Sequence, residues 1–117
     1  MQVQIGDTAF TLVVSRRHGL WTANALRAED GERYGLEVTA STESDATNRL
    51  TRWLEWQHEH AQMLEALQDA ERVYHRAVAG AAFSSAEARF SDTKTARDGV
   101  DAARHQLDDV RARRPNV

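Results

Sequence analysis

Cysteine is absent from this chain of 117 residues, which excludes disulfides, thiolate zinc sites and a cysteine nucleophile. No run approaches the roughly 20 apolar residues that a membrane span needs. Met1 to Asp7 lack the basic-then-apolar order of a signal peptide, so the expected location is the cytoplasm. No serine sits in a glycine-framed elbow and no glycine-rich loop is built to cradle phosphate, which leaves a hydrolase or nucleotide-binding reading little to stand on. Charge of one sign is missing too: 15 basic against 18 acidic residues give a net charge of −3. Both signs are mixed along the chain, which argues against a broad electrostatic footprint for duplex nucleic acid. Proline occurs once, at Pro115.

What is present is 41% hydrophobic and 28% charged, an ordinary globular composition whose length points to a single domain over 1–117. A chain of this size buries roughly 65% of its unfolded surface. That suffices for a monomer, but long protruding helices would leave apolar flank open and favour self-association. Alanine and arginine usage points to a GC-rich bacterial or phage genome.

The hydrophobic period changes near Thr42. Upstream, apolar side chains recur every second residue, as in Phe10, Leu12, Val14 and Trp21, Ala23, Ala25; downstream they recur every three or four. Val3 and Ile5 precede Gly6-Asp7, a second run covers Ala9 to Val14, and Arg17-His18-Gly19 turns the chain into Leu20 to Leu26. Glu29-Asp30-Gly31 is a further turn before Tyr34, Leu36 and Val38. These segments predict an antiparallel meander of three to four strands over 1–41. Ala23 and Ala25 are small enough to let a helix approach the sheet, and the opposite face, with Thr11, Thr22, Asn24, Glu37 and Thr39, is polar.

Thr42 caps a helix expected over 42–79, with Glu43 and Asp45 in its positive first turn. Its stripe reads Ala46, Leu50, Trp53, Leu54, Gln57, Ala61, Leu64, Leu67, Ala70, Tyr74 and Ala77. Such a helix is on the order of 50 Å long, whereas strands this short span roughly 20 Å. Its far half needs another partner, and a second helix over 84–113 supplies one. Ser84-Ser85-Ala86-Glu87 is a capping box. The seam then runs through Ala86, Phe90, Thr93, Ala96, Val100, Ala103, Leu107 and Val110 with coiled-coil steps, weakened at Gly99 by about 1 kcal/mol relative to alanine. Residues 114–117 form a tail. The fold class is therefore α+β: a meander packed on a long helix that forms an antiparallel hairpin with a second one.

The densest cluster of functional side-chain types is Trp53 to His60. Glu55 and His58 have the spacing of a carboxylate and an imidazole sharing a metal in helical bundles. A hairpin turn near Phe83 would set His105, Asp101 and Asp109 at the height of Glu59, Met63 and Glu55. Solvated helix flanks commonly carry the same residue types, so Glu55, His58 and His105 are candidates only, and no metal or cofactor is expected. Glu71 with His75, and Asp101 with His105, read as ordinary surface pairs. Ser84 and Ser85 are caps. Trp56 lies about 300° round the helix from Trp53, at the stripe's edge near Tyr74, His60, Met63 and Val73. It serves either as an interface anchor or as cover for the sheet margin. Two basic clusters, Arg16-Arg17-His18 and Arg111, Arg113, Arg114, are candidates for nucleic acid, or solvated turn and helix-end residues.

Phe10 to Leu54 resembles the small sheet-plus-helix fold of the HicB antitoxin family. The shared pieces are Phe10-Thr11-Leu12-Val13-Val14, the turn ending in Gly19, Trp21-Thr22-Ala23, and the helix entry Thr42-Glu43-Ser44-Asp45-Ala46. The resemblance implies a partner-binding sheet domain related in fold to double-stranded-RNA-binding modules. It carries over no catalytic residue, and the chain departs from that family in lacking a recognisable C-terminal DNA-binding module.

The resulting expectation is a non-enzymatic protein-interaction module that forms a homodimer through its helical hairpin, with Trp56, Tyr74, Phe83, Phe90 and Leu107 as contact residues. The alternatives are an antitoxin-like or nucleic-acid-binding regulator using Arg16, Arg17, Arg111, Arg113 and Arg114, and a metal site at Glu55, His58 and His105.

Overall fold

Four strands and two helices follow one another along the chain: β1 Gln2–Ile5, β2 Thr8–Arg17, β3 Leu20–Arg27, β4 Arg33–Ala40, α1 Glu43–Gly80 and α2 Ala86–Ala112. The computed structural model describes the backbone of residues 1–80 and 86–116 and the side chains of 1–80 and 91–116. The chain forms two compact units, residues 1–58 with 114–117, and residues 59–113.

In the first unit the strands make an antiparallel sheet in the order β1-β2-β3-β4, the meander that the alternating pattern predicts. Between β2 and β3, His18 and Gly19 both take positive φ, 51° and 79°. That is the signature of the type I′ turn, whose twist matches that of the flanking strands. Leu12 then pairs with Ala25, and Val14 with Ala23, so one face of the sheet carries the apolar set. α1 begins at the end of β4: Thr42 Oγ1 accepts a hydrogen bond from the Asp45 amide at 3.1 Å, the expected cap. Ala46, Leu50, Trp53 and Leu54 close over Ile5, Phe10, Leu12, Ala23, Ala25, Val38 and Ala40. Ala23, Ala25 and Ala46 are fully buried, because small residues on both layers bring helix and sheet into close contact.

One feature of the sheet departs from regular alternation. Ala23 pairs with Val38 but Ala25 pairs with Tyr34, so Gly35 to Glu37 stand against the single Asn24 as an extended bulge. Gly35 has φ 78°, and a Cβ there would sit 2.4 Å from Trp53 Cζ3. The bulge makes the recess in which the indole lies; the ring's Nε1 is buried without a hydrogen-bond partner.

In the second unit α2 packs against the distal part of α1. Ala96, Val100, Ala103, Leu107 and Val110 are buried, with Thr93 half-buried, which is the described part of the seam expected from the three-and-four steps. On α1 the half-buried line runs through His60, Met63, Leu67, Ala70, Tyr74 and Ala77. Ala61 and Leu64, expected on the stripe, are exposed instead. The element closing over the helix here is α2, whose Arg111 reaches His60, while Arg113, just past its end, reaches Glu59. The capping box at Ser84–Glu87 and the hairpin tip at Phe83 lie outside the described residues.

Candidate functional site

Trp56 is the candidate contact residue around which the first unit arranges charge. It follows Arg49 and Arg52 on α1 by steps of three and four, which puts all three on one helix face. Both arginines are exposed and Trp56 is half-buried. The Arg114 guanidinium carbon lies 5.6 Å from the centre of the indole, close enough for a cation–π contact of roughly 0.5–1 kcal/mol at an exposed site. Elsewhere in the unit guanidinium groups meet carboxylates: Arg27 pairs with Asp30 and Glu32, and Arg33 with Glu37. Asp45 and Glu55 are exposed on the same stretch of helix. Arg49 and Arg52 escape a reading of the sequence because two helical arginines look like a solvated face. Their alignment with Trp56 was the available signal.

The two basic clusters come out differently. Arg16 lies 5.9 Å over the Trp21 ring, since both face the helix side at paired positions of β2 and β3, while Arg17 is exposed. In the second unit the cations contact their own hairpin. Arg113 donates from both terminal nitrogens to Glu59, at 2.8 and 3.4 Å, and Arg111 Nε donates to His60 Nε2 at 3.3 Å. The hydrogen bond from Arg113, with its charge, holds the Glu59 carboxyl below the usual carboxylate range despite some desolvation; reciprocally Arg113 is raised.

Those contacts correct the expected hairpin register. Glu59 faces Arg113, not His105, a displacement of eight residues, just over two helical turns. His105 instead approaches Asp109 of its own helix at 3.7 Å, with 80% of its side chain exposed. In the first unit, His58 lies against the β1–β2 turn, where a Cβ on Gly6 would be 2.3 Å from its Cε1. Glu55 is exposed. The structure thus gives Glu55, His58 and His105 three separate surroundings, and among the described residues no group of three or more His, Asp or Glu stands ready for a metal.

Of the other contact candidates, Tyr74 is half-buried, with its ring 5.9 Å from that of His75. Leu107 is only 2% exposed: it is closed off by the hairpin's own packing and offers no outward contact. Phe83 and the Phe90 side chain fall outside the described residues. Among the described residues no helix is long and apolar enough to cross a membrane. Compared with models of known families, with curated proteins and with solved structures, the chain matches none.

Proposed function

We propose that this protein is a non-enzymatic interaction module that associates with a second copy of itself through the distal half of α1. What supports the reading is the unequal burial of the two hairpin helices. Ala96, Val100, Ala103, Leu107 and Val110 of the α2 seam are 2–9% exposed, whereas on α1 Leu64, Val73 and Val78 are 36%, 52% and 47% exposed. Met63, Leu67 and Tyr74 are no more than half-buried. A helix whose apolar arc exceeds what one neighbour covers is completed by further helices, as in a four-helix bundle. An antitoxin-like regulator would be one instance of a partner-binding module, resting on the resemblance of Phe10 to Leu54.

Sedimentation equilibrium tests the reading. The wild type sediments as a dimer, and Leu64→Glu combined with Val73→Glu, both at exposed positions, shifts it to monomer. A wild type that stays monomeric at every concentration overturns the proposal.

A further inference from the structure

We infer that the outward row of α1 formed by Arg49, Arg52 and Trp56, with Arg114 over the indole, docks an acidic segment of a protein partner. The inference rests on the interaction reading but uses a surface separate from the dimer face proposed above. Arg49 and Arg52 make no hydrogen bond or ion pair among the described residues, so two like charges stand one turn apart with neither held by a carboxylate, Asp45 and Glu55 lying exposed one turn to either side. Neighbouring like charges on a helix repel, and an anion docking there relieves them. The guanidinium fork matches a carboxylate bidentately. Spacing of three and four residues suits carboxylates repeated along a helix or strand. Trp56 supplies the apolar anchor, and tryptophan and arginine together are the side chains that dominate protein–protein contact energies.

Nucleic acid fits less well. Phosphate binding gains from many cations along a track, yet exposed Asp45 and Glu55 share this stretch of helix, and the chain carries a net charge of −3. Arg111 and Arg113 are engaged with His60 and Glu59. A short segment with two or three carboxylates meets the guanidinium groups without extending over those acids.

The test is an NMR titration of the full chain, reading the arginine Nε–H and tryptophan indole signals. The probes are a peptide of alternating glutamate and leucine, its glutamine counterpart, and an oligodeoxythymidine. The glutamate peptide is expected to shift Arg49, Arg52, Arg114 and Trp56. The glutamine peptide leaves them unmoved, and Arg49→Glu with Arg52→Glu weakens binding about tenfold or more with unchanged far-UV circular dichroism. No shift with the glutamate peptide overturns the inference, as does tighter binding of the oligonucleotide at the same signals. Sedimentation of the same samples separates the two readings. A monomer that still binds the glutamate peptide overturns only the dimer, and a dimer that ignores it overturns only the docking row.

Discussion

Over the sheet, α1 buries Ala46 and Leu50 completely and leaves Leu54 2% exposed; between Glu59 and Gly80, no described residue of the same helix is buried to that degree. The difference follows from what covers each stretch. A sheet presents several strands at once, so Phe10, Leu12, Ala25 and Val38 surround a single row of helical side chains. A second helix offers only one seam, and here that seam is largely alanine and valine. Small residues of α2 close well beneath the larger ones of α1, but they do not wrap round Met63, Leu67 and Tyr74. The same secondary structure therefore has a completed interior in one unit and an unfinished flank in the other, which leaves open apolar surface on the hairpin.

Truncating a leucine in each unit measures that contrast directly. Leu50→Ala removes a side chain enclosed on all sides and should cost about 2–5 kcal/mol, the range for a cavity in a packed core. Leu67→Ala removes one that is half in water, and should cost about half as much or less. Urea unfolding followed by circular dichroism gives both values. Equal losses would mean that the distal stripe is as closed as the sheet core, and the comparison would fail.

The next largest effect belongs to Gly35. Alanine there must hold φ near 78° and place its Cβ against the Trp53 ring, at an expected cost of about 1–3 kcal/mol. Adding Trp53→Leu to Gly35→Ala should remove the clash and leave the backbone strain, so the second substitution costs less in the variant than in the wild type. Strict additivity in a double-mutant cycle would show that Gly35 serves the turn of the backbone alone.

These residues also show where the fold was legible in the sequence. Phe10, Leu12 and Val14 alternate because one sheet face is buried, and Thr42 announces its helix through its cap; both signals are local. The α2 seam was legible for the same reason. The bulge was not: two extra residues preserve parity, so Tyr34, Leu36 and Val38 alternate as though β4 were regular. Nor was the row containing His60 and Met63, since amphipathic and flexible side chains accept half-burial that Ala61 and Leu64 were expected to take. The hairpin register depends on how far the two helices are offset along each other, which no local pattern encodes, and the offset sets Glu59 against Arg113 and not against His105. Trp56 stood out as a lone large aromatic at a stripe's edge, whereas Arg49 and Arg52 acquire meaning only beside Arg114, which is distant in sequence.

The smallest expected effect concerns the end of the hairpin. Because the hydrogen bond from Arg113 lowers the Glu59 carboxyl in the folded chain, the unfolded chain takes up that proton more readily. The pair's contribution is therefore present above the unfolded carboxylate value of roughly 4.3. It is lost as pH falls through the lower value of the folded state. Both groups are solvent-exposed, so water and salt weaken the interaction. Hydrogen exchange at the last amides of α2 is a better gauge than global unfolding. At neutral pH, Glu59→Gln should exchange faster there than the wild type, and the two should converge in acid as the wild-type carboxyl protonates. High salt should narrow the gap at neutral pH. Profiles that coincide at every pH would show that Arg111 on His60, and not the charged pair, fastens the end of the helix, and would leave the flank at Glu59 free of any electrostatic tie.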